Sequence, residues 1–278
     1  MLIDTFEAKK ILAASKKGEE EFSVNFDLGF TKKVVFLKKN LVVIDDQPFE
    51  LSIFKKMAKS NAVYELGKPS MKIAIFDESY YKLSPVLHSA PTIEIDGIRM
   101  HRTKDLTPLE DAQAKIRLID IKPRENILDV CTGLGYTAIE AYQRKAKVTT
   151  IEIEENVIAI AKKNPYSQEL FQGIAKQEIT LIIGNAFSVV KKFKDESFDA
   201  ILNDPPRFSL SGELYSEEFY RELYRILKQN GRLFHYVGTP GAKYRKKDFM
   251  KGVKNRLRNV GFKLRNTEDN ESAFAYKN

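Results

Sequence analysis

Apolar and polar residues repeat with two different periods along this chain, and the pattern changes near residue 104. Before that point most apolar runs are short and typical of strands: EFSVNF (21–26), KVVFL (33–37), LVVI (41–44), AVYEL (62–66) and KIAIF (72–76). Helical spacing appears at residues 5–17, which end at Gly18, and at residues 50–60. PTIEIDGIRMHR predicts a hairpin that turns at Asp96-Gly97. Residues 1–103 are therefore predicted to form a small strand-rich α+β domain, whose residues suggest no function.

Residues 104–278 are predicted to form a second domain. It opens with Thr107-Pro108-Leu109-Glu110, a capping box with proline at the first helical position. Strand and helix patterns then alternate: NILDV, YTAIEAYQR, KVTTIEI, ENVIAIAKKN, ITLIIG, FDAILN, SEEFYRELYRIL and GRLFHYV. Alternation of this kind predicts an α/β fold, with a mostly parallel sheet and helices on both faces. Ligands of such sheets bind at the carboxyl ends of the strands.

A glycine turn follows the first strand of this domain. Gly133 and Gly135 stand between the strand and a helix, where glycine lets the backbone approach a ligand and the helix N-terminus offers free N–H groups. Glu152 closes the next strand, in a position suited to ribose hydroxyls. The same spacing also matches a dinucleotide fingerprint, and two glycines can serve packing alone. Cys131, on the turn, is expected to be a small buried residue.

The strand FDAILN ends in a stiff turn. Asn203 and Asp204 precede Pro205 and Pro206, which lack N–H donors and have a restricted φ, so the chain continues neither as strand nor as helix. The turn holds one carboxylate and the proline carbonyls at a strand end. A plain structural role is also open, in which the prolines only terminate the strand and Asn203 is an ordinary strand-end polar residue.

Charge points to a polyanion near the C-terminal part. The net charge is +8; residues 1–100 contain 15 Lys/Arg and 14 Asp/Glu, so 31 Lys/Arg and 24 Asp/Glu follow them. Lys246, Lys247 and Lys251 lie on the outer face of a predicted helix and are candidates for RNA contact, although such faces are often only solvated. One cysteine, no membrane-spanning run and no signal-peptide pattern suggest a cytoplasmic protein. The absence of a Cys/His cluster predicts no metal.

The segment from Asp129 to Gly135 resembles motif I of class I S-adenosylmethionine-dependent methyltransferases, with Cys131 in place of the usual first glycine. The resemblance implies a Rossmann-like methyltransferase sheet that binds S-adenosyl-L-methionine through Asp129, Gly133 and Gly135. It also implies that Glu152 binds the ribose and that Asn185, where the family often has aspartate, accepts a hydrogen bond from the adenine amine.

Asp204-Pro205-Pro206 resembles the Asp/Asn-Pro-Pro-aromatic signature of methyltransferases that act on exocyclic amines of bases. The resemblance implies that the Asp204 carboxylate and the Pro205 carbonyl accept the two N–H groups of the amine, with help from Asn203. It places Pro206 beside the base. Arg207 stands at the usual aromatic position, so Arg207 or Phe208 is expected to stack on the base.

The favoured function is N-methylation of a nucleobase in ribosomal RNA, at cytosine N4 before guanine N2 or adenine N6. Residues 213–234 also resemble spermidine-synthase-like aminopropyltransferases, which use decarboxylated S-adenosylmethionine. Against aminopropyl transfer, the glycine turn has no acid for the donor's amine, and no set of acids for a polyamine is evident. The motifs are compatible, too, with a non-catalytic RNA-binding protein and with a nicotinamide-dependent oxidoreductase. The sequence leaves the oligomeric state open.

Overall fold

The computed structural model describes residues 1–238, 246–265 and 271–278, without the side chains of residues 246–248. The chain divides into two compact units. The first contains Met1–Leu109 and Ala159–Tyr166, and the second contains Glu110–Ile158 and Ser167–Asn278.

The first unit contains three small antiparallel sheets and two complete helices. Its elements are β1 (Leu2–Asp4), α1 (Thr5–Lys17), β2 (Glu21–Phe26), β3 (Thr31–Lys38), β4 (Leu41–Ile44), β5 (Gln47–Glu50), α2 (Leu51–Ala58), β6 (Val63–Glu65), β7 (Met71–Lys72), β8 (Ala74–Phe76), β9 (Tyr80–Val86), β10 (Ser89–Ile95) and β11 (Ile98–Arg99). The strand orders are β2-β3-β4-β5, β8-β9-β10-β11 and β1-β6-β7. Ile11 of α1 and Phe54 of α2 are fully buried in one cluster with Val35 of β3. The predicted helices and the hairpin at Asp96-Gly97 are confirmed.

Most of the remaining elements alternate between helix and strand. They are α3 (Pro108–Ile119), β12 (Asn126–Val130), α4 (Tyr136–Gln143), β13 (Lys147–Glu152), α5 (Glu155–Lys163), α6 (Gln168–Ala175), β14 (Ile179–Ile183), α7 (Ala186–Val190), β15 (Phe198–Asn203), α8 (Phe208–Ser211), α9 (Glu217–Ile226), β16 (Leu227–Tyr236), α10 (Lys246–Val260), β17 (Lys263–Arg265) and β18 (Ser272–Tyr276).

One sheet organises the second unit, with strand order β14-β13-β12-β15-β16-β18-β17. The strands from β14 to β16 in this order are parallel, and β18 runs antiparallel to both β16 and β17. The predicted α/β fold, a mostly parallel Rossmann-like methyltransferase sheet with helices, is confirmed. Because β12, β13, β14 and β15 are parallel neighbours, the loops that follow them meet at one edge of the sheet.

Apolar side chains cover both faces of this sheet. Leu128 and Ile201 belong to a cluster with α9 and α10, whereas Ile127 and Leu202 belong to a second cluster that includes Ile116 of α3. Successive residues of a strand point to opposite faces, so uninterrupted apolar runs such as that of β15 are buried on both sides. The sheet is therefore a rigid support for the loops at its edge.

Several elements differ from the sequence expectation. The elements that were not predicted are β1, β5, β9, α6, α7, α8, β17 and β18. The predicted strand at residues 72–76 is divided at Ile73 between β7 and β8. β16 begins at Leu227, four residues before the predicted start, because its first residue pairs with Phe198 before a register shift. In the described part of the chain, no helix has the length and apolar character needed to cross a membrane.

Candidate functional site

The glycine turn after β12 has an unusual backbone. Cys131, Gly133 and Gly135 all have positive φ, at 71°, 55° and 81°. At Gly135 glycine is required by space as well as by φ, because a Cβ atom there would lie 2.6 Å from Cδ2 of Leu170. This turn ends β12 abruptly and starts α4 at Tyr136. Burial raises the pKa of the Cys131 thiol, and negative charges nearby raise it further, which makes a reactive thiolate unfavourable.

Asp129 lies beneath the turn and is 1% exposed. Its Oδ1 accepts a hydrogen bond from Thr137 at 2.9 Å, and its Oδ2 accepts one from Thr150 at 2.9 Å. Burial raises the pKa of Asp129 to about 7, against the lowering effect of the two hydroxyl groups. The carboxyl group therefore ties β12, β13 and α4 together. Its predicted contact with a donor stays a prediction.

Glu152 ends β13 beside the turn. Its Oε2 accepts a hydrogen bond from the Gly133 N–H at 2.8 Å, and its Oε1 accepts from the N–H groups of Ile153 and Glu154. Burial raises the pKa of Glu152, and these N–H groups oppose the rise. Two exposed apolar side chains, Ile153 and Ile183, flank this acid, at 55% and 43% exposure. The arrangement suits a ligand with hydroxyl groups and an apolar ring.

Asn185 follows β14 and caps α7. Its Oδ1 accepts a hydrogen bond from the Ser188 N–H at 3.1 Å, and its Nδ2 donates to Glu213 Oε1 at 2.6 Å. A second acid, Glu213, is thereby held at the same edge of the sheet. The amide oxygen has a capping role in this structure, and the predicted bond to an adenine amine stays a prediction.

Asp204, at the end of β15, is paired with a lysine that the sequence did not suggest. Lys115 of α3 donates from Nζ to Asp204 Oδ2 at 2.6 Å and to Asp111 Oδ2 at 2.6 Å. The same Nζ lies 4.9 Å from the centre of the Tyr236 ring. Burial acts to lower the pKa of Lys115, but the charges of Asp204 and Asp111 outweigh burial and raise it. The ammonium group therefore stays charged between two carboxylates and an aromatic face.

The sequence contains a weak signal for the pair formed by Asp111 and Lys115. Asp111 and Lys115 are four residues apart in α3, the spacing of an acid and a base on one helix face. Both are almost fully buried, at 4% and 7% exposure. Buried charges are expected only when they are paired, and the partner Asp204, just after β15, is 89 positions away from Lys115. Sequence spacing cannot reveal that partner.

The proline turn that follows Asp204 is held through the carbonyl group of Pro206. Tyr215 and Ser211 both donate to the Pro206 carbonyl at 2.9 Å. Pro205 is buried and Pro206 is half-buried, and Arg207 is exposed at the start of α8. The ring of Phe208 contacts Tyr215 and Phe249 edge-on, with ring centres 5.6 and 5.0 Å apart. Phe208 thus belongs to an aromatic cluster, and it keeps 45% of its surface exposed.

Asn203 points into the core. It is fully buried, and its Nδ2 lies 3.1 Å from Nδ1 of His235, whose Nε2 lies 2.9 Å from the hydroxyl of Tyr220. Burial lowers the pKa of His235 to about 4, so the ring is neutral near pH 7. This neutral network supports the end of β15 from below. Assistance by Asn203 in binding a substrate stays a prediction.

The predicted basic contacts are only partly described. The side chains of Lys246 and Lys247 lie outside the described residues, and Lys251 is exposed on α10. Their role in RNA binding stays a prediction, as does an RNA partner. Within the described ranges, no group of three or more His, Cys, Asp or Glu residues is arranged to hold a metal ion.

Comparison with known proteins identifies a family. The family model described as the spermine/spermidine synthase domain matches residues 114–267. An uncharacterized protein of Methanocaldococcus jannaschii is 51% identical over 261 residues, which is 92% of this chain and 88% of that protein. A polyamine aminopropyltransferase of Sulfolobus acidocaldarius is 40% identical over 129 residues, 44% of this chain and 42% of that enzyme. The chain therefore matches less than half of that enzyme's length.

A solved structure supports the same fold. The spermidine synthase in complex with the transition state analogue AdoDATO superposes with a TM-score of 0.59 at 20% identity, and the match covers 74% of this chain and 73% of that one. At this identity the likeness concerns the fold alone.

These findings overturn the predicted function. N-methylation of a nucleobase in ribosomal RNA was wrong, because the family model and the named relative point to polyamine aminopropyltransferases. The fold is that of class I S-adenosylmethionine-dependent methyltransferases, as predicted, but the family is not one of amino-methyltransferases. The misleading signal was the Asp204-Pro205-Pro206 turn. A rigid turn that presents a carboxylate suits any attacking amine, and the structure also pairs Asp204 with Lys115.

Proposed function

Because the chain belongs to the spermine/spermidine synthase domain family, we propose that it transfers an aminopropyl group from decarboxylated S-adenosylmethionine to an amine of a polyamine. The proposal agrees with the aminopropyltransferase resemblance of residues 213–234.

The observation that carries the proposal is a pair of carboxylates, Asp204 after the end of β15 and Asp111 on α3. Asp111 and Asp204 each hold the ammonium group of Lys115 at 2.6 Å, with the ring of Tyr236 nearby. A primary alkylammonium is also what a polyamine presents at each end. Carboxylates and an aromatic face recognise such a group by charge-assisted hydrogen bonds and cation–π attraction. No such set of acids is evident in the sequence, because α3 and β15 are far apart in the chain.

The charges at this edge favour a cationic donor and a cationic acceptor. Asp204, Asp111 and Glu152 are carboxylates at or beside strand ends, and Lys115 is the cation paired with the first two. A sulfonium donor and a polyamine are both positively charged, so an acidic site lowers the electrostatic cost of bringing them together. The glycine turn itself adds no acid to this set.

The reaction needs a neutral amine beside the sulfonium. Its nitrogen attacks the methylene carbon attached to sulfur, a C–N bond forms, and the C–S bond breaks with its electron pair moving to sulfur. The sulfur leaves as a neutral thioether, and the nitrogen releases a proton. Asp204, which is 23% exposed at its side chain, is placed to accept an N–H of the amine and to receive that proton.

The donor's adenosine part would lie on the side of the glycine turn where Glu152 is found. Glu152 is available to ribose hydroxyls, since each carboxylate oxygen can accept more than one hydrogen bond. Ile153 and Ile183 offer exposed apolar surface for an adenine ring. An S-adenosylmethionine-related ligand thus has matching groups along β13 and β14.

The test is a product analysis with two donors. The purified protein is incubated with decarboxylated S-adenosylmethionine or with S-adenosylmethionine, and with 1,4-diaminobutane or spermidine as acceptor. We expect mass spectrometry to detect the aminopropylated amine and an equal amount of the thioether in the mixtures with decarboxylated S-adenosylmethionine, and in neither mixture with S-adenosylmethionine. Calorimetry with each donor measures whether the decarboxylated form binds more tightly. Absence of the aminopropylated amine in all four mixtures would refute the proposal.

A further inference from the structure

The most unusual group at the site is Lys115, because a lysine ammonium occupies a place suited to a substrate ammonium. Its Nζ lies 2.6 Å from Asp111 Oδ2, 2.6 Å from Asp204 Oδ2 and 4.9 Å from the centre of the Tyr236 ring. The side chain of Lys115 is 9% exposed. An ammonium buried to this degree keeps its charge only because the carboxylates compensate for the lost water.

The three charged groups differ in their exposure to solvent. The side chain of Asp111 is 6% exposed and that of Asp204 is 23% exposed. Asp111 and Lys115 are both on α3, a twelve-residue helix, whereas Asp204 stands on the turn after β15. The helix therefore provides a rigid, buried anchor, and Asp204 is the member of the group that reaches the surface of the site.

Only one oxygen of Asp204 is used by this anchor. Lys115 contacts Oδ2, and among the described residues Oδ1 has no hydrogen-bond partner. A carboxylate held through one oxygen has a fixed orientation, and its other oxygen can accept an N–H from a ligand.

We propose that Lys115 is a positioning residue, which orients Asp204 so that Oδ1 faces the amine that attacks the donor. This inference rests on the proposed aminopropyl transfer. Lys115 itself does not touch the reacting atoms. Without it, Asp204 and Asp111 would repel each other, and Asp204 would turn towards solvent.

The test replaces Lys115 with methionine, which keeps the length of the side chain and removes the charge. We expect kcat to fall about 100-fold, the loss typical of a misplaced reacting group. We expect KM for the polyamine to stay constant or to fall, because the site gains net negative charge. A general structural defect would raise KM and lower kcat together.

Lys277 offers a matched control. Its ammonium is also buried, with 8% exposure of the side chain, and it lies 3.4 Å from Glu196 and 5.1 Å from the centre of the Tyr224 ring. It also donates to the carbonyl of Leu227, at the amino end of β16, the opposite end of the sheet from Asp204. Lys277→Met should therefore lower thermal stability but keep kcat and KM close to those of the wild type.

A double variant distinguishes the loss of Lys115 from misfolding of the protein. Asp111→Asn/Lys115→Met removes one charge of each sign, so the net charge of the fold is unchanged, yet Asp204 still loses its partner. We expect a folded protein, by circular dichroism, with the same loss of kcat. A kcat within about threefold of the wild type in either folded variant overturns the inference, and so does an equal loss of kcat in Lys277→Met. A wild type that forms no aminopropylated product overturns the proposed function, and this inference with it.

Discussion

At the scale of single residues, two aspartates at opposite ends of β15 each pair with a lysine but differ in how many of their oxygens that lysine contacts. Asp204 follows the carboxyl end of the strand and pairs with Lys115. Asp199 lies near the amino end, where both of its oxygens accept hydrogen bonds from Lys228 at 2.8 Å. Their side chains are similarly exposed, at 23% and 27%. The difference in function that we propose therefore depends on the end of the sheet and on the Asp204 oxygen that Lys115 leaves unused.

Asp204→Asn is expected to lower kcat for aminopropyl transfer by about 100- to 10,000-fold, because an amide cannot take up the proton of the amine. Affinity for the donor should change little, since the donor's adenosine part contacts the loops after β13 and β14 in our proposal. Steady-state kinetics and calorimetry measure the two quantities. Asp199→Asn is the control and should keep full activity. Equal activity of the two variants would contradict the role given to Asp204.

At the scale of elements, the junction between β12 and α4 is the most constrained part of the site. Gly135 has φ of 81° and faces Leu170 of α6, so one glycine sets both the direction of the turn and the distance between two helices. Glu152 of β13 accepts a hydrogen bond from the N–H of Gly133 in the same turn. A substitution in this turn is therefore expected to affect α4, α6 and β13.

Gly135→Ala should lower the free energy of unfolding by about 2–4 kcal/mol, from unfavourable φ and from the overlap with Leu170. Gly238→Ala is the control, because Gly238 also has positive φ, at 65°, but among the described residues its Cβ would lie no closer than 3.4 Å to a neighbour. That control should lose only about 1 kcal/mol. Urea denaturation measures both losses. Equal losses would mean that the overlap with Leu170 has no effect on stability.

At the scale of the whole molecule, two buried groups make stability depend on pH in opposite directions. The folded pKa of Asp129 is raised to about 7, so its contribution to stability is present at low pH and is lost as the pH rises through 7. The folded pKa of His235 is lowered to about 4, so its contribution is present above pH 6.5 and is lost as the pH falls towards 4. In the wild type these two trends oppose each other.

Asp129→Asn should separate the two trends. The variant has no buried carboxyl group to ionise, so its free energy of unfolding relative to the wild type should increase by about 3 kcal/mol between pH 5 and pH 8. Comparing the two proteins at each pH removes the contribution of His235, which both contain. Urea denaturation without donor, at pH 5 and pH 8, provides the measurement. A difference that is the same at both pH values would show that Asp129 ionises normally in the folded protein.

The local pattern of apolar and polar residues determined much of this protein's secondary structure. The period of apolar residues was enough to predict β12, α4, β13 and β15, and the capping box predicted the start of α3 at Pro108. Parallel strands bring their carboxyl ends to one edge, so the glycine turn, Glu152 and Asp204 could be assigned to that edge from the sequence. These features depend on residues that are close in the chain, because the spacing of apolar residues decides which face of a helix or strand is buried.

Tertiary structure decided which groups are partners. Lys115 binds Asp204 across 89 positions, and Asp129 is enclosed by Thr137 and Thr150 under the turn. Without Lys115, the Asp204-Pro205-Pro206 turn resembled a clamp for a nucleobase; with it, the same turn belongs to a site that already holds an alkylammonium group. The physical reason is that periodicity reports burial, whereas hydrogen bonds and charge compensation depend on which elements pack together.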